Sequence, residues 1–229
     1  MYHELKQQVY QANLDLQKHG LVVFTWGNVS GIDRANGVIA IKPSGVDYKD
    51  LTPESIVLVD LGGRVIDGNL RPSSDTPTHL ELYRSLTALG GICHTHSRYA
   101  TMWAQAQKPI PCFGTTHADY FYGPVPVTEA LTRSEIEGPY EQNTGKLIAR
   151  RFEQIDPMQM PAVLVANHGP FTWGQDPAQA VENAVVLEQV AQMACGTLAI
   201  NAGQNAISQA LLDRHYLRKH GAGAYYGQR

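Results

Sequence analysis

The chain has 229 residues, 43% of them hydrophobic and 17% charged, which suits one substantial core and excludes a disordered segment. Eighteen Lys and Arg against 21 Asp and Glu leave a formal charge of -3, and the one basic run, Arg214 to His220, is too short to argue for nucleic-acid binding. No apolar run approaches the ~20 residues that cross a bilayer, and Met1 to Lys6 lacks a cationic-then-apolar signal, so a cytoplasmic protein without membrane contact is expected. Cys93, Cys112 and Cys195 are irregularly spaced and read as reduced thiols in or near the core of one domain spanning 1–229.

Residues Tyr2 to His19 place Leu5, Val9, Ala12, Leu14 and Leu16 at helical spacing, with Gly20 as a stop. Leu21 to Thr25 then reads as a buried strand, and Trp26 to Gly31 as the turn leaving it. Val38 to Ile41 is a second strand, ending in Lys42-Pro43-Ser44-Gly45-Val46. Ile56 to Asp60 and Val65-Ile66, joined through Gly62-Gly63, form a hairpin. A helix is predicted from about Thr76 to Leu89, with Ser74 or Asp75 at its N-cap and Pro77 in its first turn. Gly91 to Ser97 reads as a short strand, and Arg98 to Gln107 as a helix packing through Met102, Trp103 and Ala106. A loop-rich passage follows, carrying Thr115 to Tyr122. Next come a helix over Thr144 to Gln154, an apolar strand Ala162 to Ala166, and a turn closed by Trp173-Gly174. A long helix opens at Asp176-Pro177 and packs through Ala180, Ala184, Leu187, Val190 and Ala191. A last helix spans Gln204 to Lys219, before a tail containing Tyr225-Tyr226. This order predicts an α/β domain with helices flanking one central sheet.

Chemistry concentrates in a histidine set and in a group of turns. His94 and His96, one residue apart on a strand, share a face, and Cys93 takes the other. His168, at the exit of the Ala162 to Ala166 strand and beside Gly169, supplies a third imidazole. Three neutral imidazoles suit a catalytic metal site with open positions, zinc being the best match by donor type. Asp75 is a candidate fourth ligand, or a carboxylate near the ion. Lys42, Ser44 and Gly45 at a strand exit, Gly27-Asn28 in a turn, and Ser73-Ser74 at a helix start are ingredients of a phosphate pocket; each alone reads equally as a tight turn or cap.

Taken together, Thr25-Trp26-Gly27-Asn28-Val29-Ser30, Lys42-Pro43-Ser44-Gly45-Val46, Pro72 to His79, His94-Thr95-His96-Ser97, Gly114 to Tyr120, His168-Gly169-Pro170 and His215 to Gly221 resemble the class II aldolase family, essentially end to end. The resemblance implies a three-layer domain with a largely antiparallel sheet. It implies His94, His96 and His168 as zinc ligands with Asp75 beside them, and Gly27, Asn28, Ser44, Gly45, Ser73 and Ser74 around a substrate phosphate. It further implies Asp119 and Tyr226 as an acid/base pair, and a homotetramer with sites at subunit boundaries. Whether Asp119 and Tyr226 then serve a neighbour's metal is left open, as is Arg218, with His215, as a phosphate contact across that boundary or an ordinary helix-terminal cation. The tail, with Gly221 and Gly223 extended, is expected to have little room to fold back on its own subunit.

Within the family, the closest resemblance is to enzymes that invert C4 of a phosphorylated ketopentose. That hydrogen is not alpha to the carbonyl, so deprotonation there has little to stabilise the carbanion. Cleaving C3-C4 avoids the problem if a metal chelating the C2 oxygen and C3 hydroxyl stabilises the enediolate left behind. Re-addition to the other aldehyde face gives the epimer, and a proton handler is needed on each side. A rival is an aldolase that cleaves a ketose 1-phosphate and releases its products; the family usually places Glu there where this chain has Asp75. A metal-free adducin-like scaffold, which predicts loss of the histidines, and a structural-metal protein are the remaining alternatives.

Overall fold

The computed structural model describes residues 2–226. Seven strands, β1 (Asn28–Asp33), β2 (Val38–Ile41), β3 (Val57–Asp60), β4 (Val65–Asp67), β5 (Gly91–His94), β6 (Ala162–Val165) and β7 (Gly169–Gly174), form one sheet in the order β4-β3-β2-β1-β5-β7-β6. Every neighbouring pair is antiparallel. The helices are α1 (His3–Lys18), α2 (Thr76–Ser85), α3 (Arg98–Gln105), α4 (Thr115–Ala118), α5 (Arg133–Glu137), α6 (Tyr140–Arg151), α7 (Pro177–Ile200) and α8 (Gln209–His220). None is long and apolar enough to cross a membrane.

Strand alternation sorts the helices into two layers. On one face, Val29 and Cys93 pack with Ala12 and Leu16 of α1 and with Ala180, Val181 and Ala184 of α7. On the other, Ser30 Oγ lies 2.7 Å from His79 Nδ1 and 2.9 Å from the Tyr83 hydroxyl, which docks α2. The result is a three-layer α/β domain. On α7, the predicted inward set Ala180, Ala184, Leu187, Val190 and Ala191 is buried throughout.

Several elements differ from the sequence expectation. Leu21 to Thr25 is not a strand: Val23 and Phe24 are 52% and 76% exposed, and Phe24 adopts a left-handed φ of 54°. The central strand is instead β1, which begins inside the Trp26 to Gly31 segment read as a turn and runs on to Asp33. It is polar because α1 and α2 satisfy its groups: Asn13 bonds both the Val29 amide (2.9 Å) and carbonyl (3.2 Å). Trp173 and Gly174 close no turn; they end β7, where Trp173 is fully buried and donates to the Pro157 carbonyl at 2.7 Å. Met102 and Ala106 face solvent, and α3 packs through Ala100, Trp103 and Ala104. Ser208 caps α8 four residues later than the predicted helix start in that region, accepting from the Leu211 amide. The tail also folds back: the Tyr225 and Tyr226 amides bond the Arg218 carbonyl at 3.0 and 3.2 Å.

Candidate active site

β5 ends at His94, so His96 lies just beyond the strand rather than on it. The two rings nevertheless converge, with Nε2 to Nε2 at 3.1 Å. His168 arrives from the turn between β6 and β7, where Asn167 takes a left-handed φ of 63°. A side chain at position 169 would place its Cβ 2.8 Å from the Thr95 carbonyl, so Gly169 lets this turn close against the His94 segment. One donor atom from each of His94, His96 and His168 fits within a 4.8 Å span, and Asp75 is not part of that group.

The residues fit a metal ion. His94 Nδ1 is 3.0 Å from the Pro170 carbonyl, which only accepts, so Nδ1 carries the proton and Nε2 presents its lone pair. Two lone-pair nitrogens 3.1 Å apart repel unless a proton or cation lies between them, and this spacing suits two ligands each about 2.0–2.1 Å from one ion. His168 Nδ1 is buried without a hydrogen-bond partner among the described residues. Burial, then the neighbouring imidazoles, pushes His168 down to about 4; the same causes hold His96 below its ordinary value, keeping both in the neutral form that ligates. Beneath them Phe171, paired in register with His94, stacks on its ring at 4.2 Å and 16° and meets His168 edge-on at 6.2 Å. Sequence reasoning did not single out Phe171 as part of the site; its place opposite His94 across β5 and β7 becomes visible only once strand pairing is known.

The phosphate-type turns surround the same cavity of about 510 Å³, lined by Trp26, Gly27, Asn28, Lys42, Ser44, Gly45, Ser73, Ser74, Asp75 and the three histidines. The 42–45 and 71–75 loops are laced by Ser44 N to Arg71 O (2.9 Å) and Ser73 N to Lys42 O (3.0 Å). Gly27, at φ 78°, sits so close to Val22 and the His94 carbonyl that any Cβ there would clash. Asn28 donates its side-chain amide to Ser73 Oγ at 3.1 Å and to Asp75 Oδ2 at 2.7 Å, leaving its buried Oδ1 without a partner among the described residues. Asp75 occupies the N-cap position of α2, yet its side chain caps nothing; the carboxylate turns to Asn28. Burial alone would raise its pKa, but His94, His79 and the Asn28 bond outweigh that and hold it below the usual range. Lys42 is buried, donates to the Val46 carbonyl at 2.8 Å and lies 4.8 Å from the Tyr48 ring; burial brings it down to about 8 against the pull of Asp47.

Asp119 and Tyr226 come together, but elsewhere. They line a second cavity with Tyr120, Lys219 and His220, which shares no lining residue with the histidine cavity of the same chain. Asp119, at the C-terminal end of α4, accepts from Arg218 at 2.8 Å and lies 3.1 Å from His215 Nδ1. Partial burial pushes its carboxyl up, and the Arg218 and His215 bonds with the nearby Lys219 charge hold it below the ordinary value. In one chain, Arg218 is thus committed to Asp119 and is not among the residues lining the histidine cavity.

A three-layer antiparallel fold carrying three converging imidazoles beside phosphate-type turns defines a metal-binding class of enzyme. Residues 7–195 match the family model described as the class II aldolase and adducin N-terminal domain, and the chain belongs to that family. Among curated relatives, the L-ribulose-5-phosphate 4-epimerases UlaF of Salmonella paratyphi A (strain ATCC 9150 / SARB42) and Salmonella typhi are each 54% identical over 226 residues, covering 99% of both chains. A solved L-fuculose 1-phosphate aldolase is 29% identical, with a TM-score of 0.76 over 95% of this chain and 96% of its own.

Proposed function

We propose that this chain, acting as one domain over 1–229 in the cytoplasm, is an L-ribulose-5-phosphate 4-epimerase that interconverts L-ribulose 5-phosphate and D-xylulose 5-phosphate by breaking and remaking C3-C4. The observation that carries the reading is the meeting of His94, His96 and His168 with the Ser44-Gly45 and Ser73-Ser74 turns in one cavity. His94, His96 and His168, with Asp75 beside them, would hold a zinc ion, which would supply an electron sink for the charge that C3-C4 cleavage develops. Gly27, Asn28, Ser44, Gly45, Ser73 and Ser74 bind the phosphate through backbone and hydroxyl donors, and Lys42 adds positive charge at the cavity wall. Asp119 and Tyr226 each take and return a proton at the C4 oxygen, one on either face of the aldehyde.

That the two cavities of one chain share no lining residue supports an arrangement in which the acid/base pair reaches the substrate from a neighbouring copy in a homotetramer. In that arrangement Arg218, paired with Asp119 beside His215, would come to the same boundary as a phosphate contact. The aldolase reading is the weaker one here: a carboxylate as short as Asp75, already tied to Asn28 at 2.7 Å, is poorly placed to act as the base.

The test is to incubate metal-loaded protein with L-ribulose 5-phosphate and assay D-xylulose 5-phosphate, beside a chelated control. Epimer formation that disappears on chelation is expected. Net release of free glycolaldehyde phosphate would instead assign an aldolase, and no turnover in either assay would overturn the enzyme reading.

A further inference from the structure

Tyr226 has little to hold it in place. Its side chain is 60% exposed, and Gly221 and Gly223 precede it. The two amide bonds to the Arg218 carbonyl fix the tail's backbone but not the ring. Two cations place the ring, with Arg218 Cζ 4.9 Å and Lys219 Nζ 4.7 Å from its centroid. Arg218 is already engaged with Asp119. Lys219 forms no salt bridge among the described residues. Its Nζ lies 4.4 Å from a second ring, that of Tyr120, the residue after Asp119. Tyr120 is fixed in turn by its hydroxyl, which donates to Glu182 of α7 at 3.0 Å.

We propose that Lys219 is a positioning residue: its ammonium, held between the rings of Tyr120 and Tyr226, sets the tail tyrosine beside Asp119. The inference rests on the reading of Tyr226 as an acid/base group. It assigns a task to a lysine that no phosphate turn or metal ligand requires. Glu182, by anchoring Tyr120, ties the arrangement to α7. The ammonium lies 4.4 Å from one ring centroid and 4.7 Å from the other, so removing it leaves Arg218 as the remaining cation over the tail ring and cuts the tie to Tyr120.

The experiment compares Tyr226→Phe, Lys219→Met and Lys219→Arg in the metal-loaded, full-length protein. The readouts are kcat and KM for L-ribulose 5-phosphate and the hydrogen exchange of the Tyr225 and Tyr226 amides. Lys219→Met is expected to lower kcat by about ten- to a hundred-fold with KM within about two-fold, as misplacement of a reacting group does. Tail exchange should rise, and Lys219→Arg, which keeps a cation able to stack between the rings, should recover most of the lost rate. Wild-type kcat in Lys219→Met while Tyr226→Phe is impaired would overturn the inference. A rise in KM with kcat unchanged would also overturn it, making Lys219 a substrate contact. Wild-type turnover by Tyr226→Phe would instead remove the acid/base reading on which the inference stands.

Discussion

The histidine cavity and the Asp119-Tyr226 corner are built by opposite means. His94 is fixed by the pairing of β5 with β7, by the Pro170 carbonyl and by the face of Phe171. Asp75 is fixed by Asn28, which is itself held on the central strand. At the other corner, Asp119 ends a four-residue helix, and Tyr226 is held by two backbone bonds and by cations over its ring. Metal ligation tolerates little misplacement, and the candidate donors, His94 buried, His168 half-buried and His96 exposed, sit at a strand end and in the adjoining turns of one chain. Proton transfer at C4 needs groups that approach a bound substrate from outside. The proposed function gives that task to Asp119 and Tyr226, of which Tyr226 is 60% exposed.

The contrast breaks most visibly if a histidine is removed. His168→Ala should abolish stoichiometric metal binding, measured by metal analysis after dialysis, and lower kcat by at least about 10³-fold. Tyr226→Phe and Asp119→Asn should each cost about 10²–10⁴-fold in kcat while metal content stays at the wild-type value, since neither residue lines the histidine cavity. Loss of metal in either variant would erase the distinction between the two regions. Phe171→Ala, which removes a fully buried ring, should destabilise the chain by about 3–5 kcal/mol in denaturant titration and weaken metal binding as well.

The acid side of stability is a smaller effect and belongs to the second region. His117 on α4 is buried, donates to the Gly123 carbonyl at 2.8 Å and is pushed down by burial to about 4. Its folded value lies below its unfolded value, so the unfolded chain takes up the proton first as pH falls. The contribution is complete above about pH 6.5, the unfolded value, and is lost progressively toward pH 4, amounting to about 3 kcal/mol. In His117→Asn, the midpoint of urea unfolding should fall less between pH 6.5 and pH 4 than it does in the wild type.

The two regions also differ in how far sequence reasoning reached. The three histidines and the turns at Lys42 to Gly45 and Ser73 to Asp75 could be singled out because residue type and local spacing carry the chemistry. The inward face of α7 followed from helical spacing alone. β1 was missed because Asn28 and Ser30 are polar groups satisfied by partners far along the chain, Ser73 and Asp75 for one and His79 and Tyr83 for the other. Leu21 to Thr25 misled for the converse reason: the run is apolar, yet it pairs with no strand, and only Leu21 is buried while Val23 and Phe24 stay in solvent. Nothing local marks Phe171 or Lys219, whose roles arise from strand register and from a tail that turns back.

The most direct test of the shared site mixes two inactive proteins. His96→Asn subunits lack a metal site but keep Asp119 and Tyr226, and Tyr226→Phe subunits have the reverse. If each site is completed by a neighbour, co-refolded or co-expressed mixtures regain activity, and random pairing at head-to-tail boundaries restores about a quarter of the sites. A mixture no more active than the sum of its two parents would contradict the account and return the acid/base pair to the metal cavity of its own chain.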